Sequence, residues 1–134
     1  MKVFIDSNIP MYVAGRDHPL RDPAKRFLAR VQKKEVDACT STAVLQEILY
    51  RYVSLGQRDL ARDVYDLFVE MCPEVFPVTL ADTDLARDLL LEVEGISARD
   101  AVHAAVMRTR GVKSIATFDA GFDRVPEIKR ISLR

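Results

Sequence analysis

The N-terminal stretch Met1-Lys2-Val3-Phe4-Ile5-Asp6-Ser7-Asn8 decides how the rest of the chain is read. Lys2 to Ile5 is a short, nearly continuous run of β-forming residues. Such a run suits a central strand covered on both faces, since a strand with one wet face alternates apolar and polar positions. The run stops at an acid, Asp6. A similar stop recurs late in the chain, where Ile115-Ala116-Thr117-Phe118 is followed by Asp119. Parallel strands would carry both carboxylates to the same edge, and ligands of open α/β sheets collect at the carboxyl ends of the strands, where strand order reverses. Each acid has a structural alternative as a cap: Asp6 or Asn8 ahead of Ile9-Pro10, and Asp119 ahead of a short turn.

Outward from these two points, short apolar runs alternate with longer helical patterns, which predicts an α/β fold with a mostly parallel central sheet of about five short strands flanked by helices. Asp22-Pro23 predicts a helix start, with the acid as N-cap and proline at the first helical position. Val36 to Thr40 predicts a second strand. The helix that follows runs from Ser41 or Thr42 to about Leu55, with Val44, Leu45, Ile48, Leu49, Tyr52 and Val53 as its apolar stripe and Gly56 as its stop. Further helices are expected over 58–71, 82–94 and 97–110, the last opened by Ser97-Ala98-Arg99-Asp100 in the form of a capping box. Phe76 to Thr79, weakened by Pro77, Ser114 to Thr117 and Lys129 to Leu133 complete the expected strands.

With 134 residues and no linker, repeat or low-complexity stretch, one domain over residues 1–134 is the expectation. Lys plus Arg and Asp plus Glu each number 20, so formal net charge is zero. Bulk positive charge is therefore excluded as a means of holding nucleic acid, although a local basic patch is not. No apolar run approaches the ~20 residues of a membrane span, and the N-terminus lacks the form of a signal peptide. A cytoplasmic protein with Cys39 and Cys72 reduced is the resulting expectation.

Glu47 and Asp100 are less obvious candidates. Glu47 lies opposite the apolar stripe of its helix, beside Gln46, Tyr50 and Arg51, so periodicity alone places it in water. Asp100 points away from Ala101, Val102, Ala105 and Val106, and as third residue of a capping box it already has a structural role. Its place near a helix N-terminus also suits an anion or a metal-bound phosphate.

In order along the chain, Val3-Phe4-Ile5-Asp6-Ser7-Asn8, Val44-Leu45-Gln46-Glu47-Ile48, Ser97-Ala98-Arg99-Asp100-Ala101-Val102-His103 and Ala116-Thr117-Phe118-Asp119-Ala120-Gly121-Phe122-Asp123 resemble the acidic motifs of the PIN-domain ribonucleases. The resemblance spans essentially the whole chain and is greatest to the VapC toxins of toxin–antitoxin pairs. It implies a PIN-like fold and a metal-dependent endoribonuclease whose catalytic and metal-binding acids are Asp6, Glu47, Asp100 and Asp119, around Mg²⁺ or Mn²⁺. It further implies that Ser7, Asn8 and Thr117 orient those carboxylates, with Asp123 as a peripheral fifth acid. RNA (tRNA or ribosomal RNA) as substrate, a small antitoxin and a homodimer are implied in the same way. His103 is read as a packing residue, with a hydrogen bond near Asp100 as the alternative; His18 has no assigned partner, and Arg51, Arg99 and Arg124 are candidate phosphate contacts.

These residue types suit phosphodiester hydrolysis. A hard divalent cation on carboxylates lowers the pKa of a bound water and neutralises charge developing on the phosphate, whereas clustered acids alone repel. A phosphoacceptor receiver domain would need adjacent early acids and a lysine after the late strand. A haloacid-type phosphatase would need two acids two residues apart after the first strand. Neither pattern is present. A binding module with a vestigial acidic pocket is the alternative that remains.

Overall fold

The computed structural model describes residues 1–133. Its first strand, β1 (Lys2–Ile5), is the middle of a five-stranded sheet ordered β3-β2-β1-β4-β5, in which β2 is Asp37–Ser41, β3 Glu74–Phe76, β4 Ser114–Ala116 and β5 Lys129–Arg130. All pairings are parallel. Val3, Phe4 and Ile5 are all buried although they alternate between faces, which is why this strand reads as a continuous apolar run. The chain builds outward from β1 through β2 and β3, then returns to the other side of β1 for β4 and β5. Strand order therefore reverses between β1 and β4, where a crevice forms at the carboxyl ends.

The helices are α1 (Asn8–Ala14), α2 (Arg21–Gln32), α3 (Thr42–Ser54), α4 (Arg58–Met71), α5 (Leu80–Glu92) and α6 (Ala98–Thr109), with a 3₁₀ turn at Ala120–Arg124. One apolar cluster joins the sheet to α1–α4 and to Val106 and Met107 of α6. A smaller one packs Ala86 and Leu89 of α5 against Ala101, Ala104 and Ala105 of α6. Alanine on α6 lets the two helix axes approach closely. No helix among the described residues is long and apolar enough to cross a membrane.

The expected α/β layout is observed, with shifts at several boundaries. The third strand ends at Phe76 instead of beginning there, because Pro77 has no N–H to give the ladder. β5 is only Lys129–Arg130, a short edge strand. Asp22 lies in the first turn of α2 with Leu20 at the cap, and no side chain caps that end. α5 begins two residues early because Thr79 and Asp82 form a reciprocal capping box: Thr79 Oγ1 accepts the Asp82 N–H at 3.3 Å and Asp82 Oδ2 accepts the Thr79 N–H at 2.9 Å.

Candidate active site

Ile5 pairs with Ala116 in register, so the residues that follow them, Asp6 and Thr117, emerge side by side at the crevice. Asp6 is buried and densely held. Its Oδ1 accepts the Ser7 N–H at 2.7 Å, and its Oδ2 accepts the Thr117 hydroxyl at 2.7 Å. Asn8 Nδ2 donates to Thr117 Oγ1 at 3.0 Å, and Thr117 Oγ1 accepts the Asp119 N–H at the same distance. Ser7, Asn8 and Thr117 thus tie the end of β1 to the end of β4 and fix the Asp6 carboxylate between them.

Glu47 is not in water. Its side chain is only 14% exposed, because the β1–α1 loop and α6 roof the face of α3 that periodicity marks as outer. Oε2 accepts the Ser7 hydroxyl at 2.6 Å, Oε1 lies 2.5 Å from His103 Nε2, and Arg99 Nε stands 3.9 Å away. His103, expected mainly to pack, does pack against Phe4 and Phe122, but it also joins the acids, at Glu47 and Asp6: its Nε2 is 3.8 Å from Asp6 Oδ1. Its other nitrogen, Nδ1, is buried with no hydrogen-bond partner. Ligand atoms of Asp6, Glu47 and His103 all lie within 4.8 Å of one another.

At the start of α6 only half of the expected capping box forms. Ser97 Oγ accepts the Asp100 N–H at 3.1 Å, but Asp100 does not return the bond. Its carboxyl instead turns inward, 5% exposed, and hydrogen-bonds Asp119. Asp119 caps the 3₁₀ turn by accepting the Gly121 N–H at 2.8 Å, as its capping reading expects, and it stands beside Asp100 at the crevice. A Cβ on Gly121 would stand 3.0 Å from Asp119 Oδ1 and 3.3 Å from Asp100 Oδ2. Only glycine leaves both carboxylates room, a requirement that the sequence reading missed although Asp119-Ala120-Gly121 was in view.

The acids perturb one another. Burial, followed by the hydrogen bond and charge of Asp119 and the charge of Asp6, pushes Asp100 up to about 7. Burial likewise raises Asp6, against the pull of His103 and Thr117. Glu47 is raised by burial but more strongly lowered by His103, Ser7 and Arg99 together, and it ends below the ordinary carboxylate range. Burial lowers His103, yet Glu47, Asp6 and Asp100 outweigh it and hold the imidazole above its usual value. Asp6, Glu47 and Asp100 therefore shift one another within one cluster at the crevice, with Asp119 beside Asp100.

Asp123 does not belong to it. It is exposed, and Arg130 grips both its oxygens at 2.8 and 2.7 Å, because the 3₁₀ turn rotates it away from Asp119 toward β5. Arg124 also faces elsewhere, donating to the Gly95 carbonyl at 3.0 Å. Arg51 and Arg99 do line the cavity of about 1390 Å³ onto which Asp6, Glu47 and Asp119 open.

The family model of the PIN domain matches residues 3–128. Ribonuclease VapC13 of Mycobacterium tuberculosis is 39% identical over 130 residues, covering 97% of this chain and 99% of that one. The crystal structure of M. tuberculosis VapC20, described as a sarcin–ricin loop cleaving toxin, superposes with a TM-score of 0.77 at 20% identity, covering 92% of this chain and 95% of that one. A toxin–antitoxin complex from Klebsiella pneumoniae gives 0.68 at 15% identity, covering 98% of each chain. On the match to the family model and to these relatives, the chain belongs to the PIN-domain family and, within it, to the VapC ribonucleases of toxin–antitoxin systems.

Proposed function

We propose that this chain hydrolyses RNA phosphodiester bonds endonucleolytically and in a metal-dependent way, with Asp6, Glu47, Asp100 and Asp119 as the acidic quartet. The observation that carries the reading is the convergence of carboxylates from four separate segments on one crevice: Asp6 and Asp119 meet through Thr117, Glu47 reaches Ser7 beside Asp6, and Asp100 and Asp119 flank the same glycine, Gly121. The donor set fits Mg²⁺ or Mn²⁺, being carboxylate oxygens at an open cavity that Asp6, Glu47 and Asp119 line, with Gly121 leaving space beside Asp100 and Asp119. Asp6, Asp100 and Asp119 would hold the ion directly. Glu47, whose Oε1 lies 2.5 Å from the His103 imidazole with Arg99 beyond it, would act through water. When bound, such an ion lowers the pKa of a water and neutralises charge on the phosphate.

The chain's own residues do the positioning. Ser7, Asn8 and Thr117 keep the Asp6 carboxylate in one orientation, so little reorganisation accompanies the reaction. Arg51 and Arg99 offer the cavity wall positive charge for the phosphates that flank the cut. The substrate is RNA, tRNA or ribosomal RNA, a reading that VapC20 supports as a sarcin–ricin loop cleaving toxin, and the partner is a small antitoxin, by likeness to the Klebsiella toxin–antitoxin complex. A homodimer in the cytoplasm completes the proposal; light scattering that finds a monomer at every concentration overturns the dimer.

The test is cleavage of pooled tRNA and ribosomal RNA by antitoxin-free protein in Mg²⁺, Mn²⁺ or EDTA. Discrete fragments that vanish in EDTA and in Asp6→Asn or Asp100→Asn are expected. Unchanged cleavage in both variants would overturn the quartet. Absence of Mn²⁺ binding by folded protein in calorimetry would instead favour the vestigial pocket.

A further inference from the structure

The wall of the cavity contributed by α1 and the loop after it carries aromatic rings that the acidic cluster does not use. Tyr12, half-buried, lies edge-on to Phe118 with ring centroids 5.4 Å apart at 88°. Phe118 is the residue before Asp119, and its N–H donates to Asn8 Oδ1 at 3.4 Å, so this end of the rail is bound to the acids. On its other side Tyr12 meets His18, centroid to centroid 4.8 Å at 36°. His18 is exposed, yet its ring is not free to turn: Nδ1 accepts the Leu20 N–H at 3.1 Å. With Nδ1 occupied as acceptor, the proton of the neutral ring sits on Nε2, which becomes an available donor. Tyr12 and His18 both line the cavity that Asp6, Glu47 and Asp119 open onto, and so do Arg16, Arg51 and the 75%-exposed Tyr50.

Rings ordered in this way at the surface, among arginines, form the surface that single-stranded RNA uses. Splayed bases stack on aromatic faces while cations follow the backbone, and a hydrogen bond at the ring edge then selects among bases. We propose that Tyr12 and His18 form a stacking site for one unpaired nucleobase adjacent to the scissile phosphate, with His18 Nε2–H donating to an acceptor on that base. The inference rests on the ribonuclease reading above and adds to it a specificity site on the α1 wall. It also gives His18 a role: the ring selects the base and leaves the hydrolytic chemistry to the acids.

The experiment treats antitoxin-free protein with a mixture of tRNA, ribosomal RNA and a randomised single-stranded RNA pool. Product ends are sequenced for wild type, His18→Ala, His18→Phe and Tyr12→Leu, and initial rates are measured on the best-cut sequence. His18→Ala is expected to lower kcat/KM by about tenfold, within the range of one base stack, and to erase the nucleotide preference at one position only. His18→Phe restores most of the rate without the preference, since it stacks but has no donor. Tyr12→Leu, which keeps bulk against Phe118, loses rate as His18→Ala does while Mn²⁺ affinity stays unchanged. If His18→Ala leaves rate and preference as in wild type, or if His18→Phe is no better than His18→Ala in rate, the stacking site is refuted and the ribonuclease stands. If wild type cuts no RNA in any metal, the ribonuclease reading fails and the site with it.

Discussion

The strain at the acidic cluster can be measured by removing one charge. Asp100 is pushed up from its ordinary 3.8 to about 7, first by burial and then by Asp119 and Asp6. A rise of about three units corresponds to about 4 kcal/mol at ~1.36 kcal/mol per unit. Water in the open cavity screens this to about 2 kcal/mol. The raised value means that the folded protein holds the Asp100 proton more tightly than the unfolded chain does. Below about pH 4 both states carry the proton and there is no penalty; between about pH 4 and 7 the folded state loses stability, and above that the loss is complete. Asp100→Asn keeps the shape and cannot ionise. In EDTA it is expected to match wild type near pH 4 and to be more stable by about 2 kcal/mol at pH 8, a rise in Tm of about 6 °C for a chain of this size. The same substitution should abolish RNA cleavage, so stability and activity move in opposite directions. Urea unfolding followed by circular dichroism, in EDTA at the two pH values, is the assay. An equal gain at both pH values, or none at pH 8, would refute the origin assigned to the strain.

Three further outcomes are expected. Saturating Mn²⁺ at about 100 Kd should stabilise wild type by about 2.7 kcal/mol, seen as a rise in Tm that is lost in Asp119→Asn. Gly121→Ala puts a methyl group 3.0 Å from Asp119 Oδ1 and 3.3 Å from Asp100 Oδ2, so Mn²⁺ affinity by calorimetry should fall at least about tenfold while the circular dichroism spectrum is unchanged. Away from the site, Asp82 is buried yet accepts from Thr109, Arg110 and Thr79, and these bonds outweigh burial and bring it to about 2. Asp82→Ala should therefore cost about 3 kcal/mol in urea unfolding at pH 7 with cleavage intact. Because the Asp82 value is depressed, its contribution is present above about pH 4 and disappears as the pH falls through about 2, where wild type and variant converge.

Sequence by itself determined the alternation of strands and helices and the parallel sheet, because the covered central strand and the helical stripes are local patterns of burial. It also placed Asp6 and Asp119 at strand ends, since the end of an apolar run is visible in one dimension. What lay beyond it were the residues whose surroundings come from other elements. Helical periodicity ranks Glu47 against the axis of α3 alone, and only the tertiary fold lays Ser7 and His103 over that face. The motif Ser97-Ala98-Arg99-Asp100 permits a closed capping box, but a hydrogen bond to Asp119, brought up by β4, draws the Asp100 carboxyl away. Asp123 follows Asp119 by four residues and looks equivalent in the chain, yet the turn between them hands it to Arg130. The packing of His18 on Tyr12 is likewise a meeting of a loop with a helix, six residues apart in sequence and joined only by the fold. A chain pattern encodes which residues must leave water; which of them then meet one another is settled when the sheet closes and brings distant loops to a common edge.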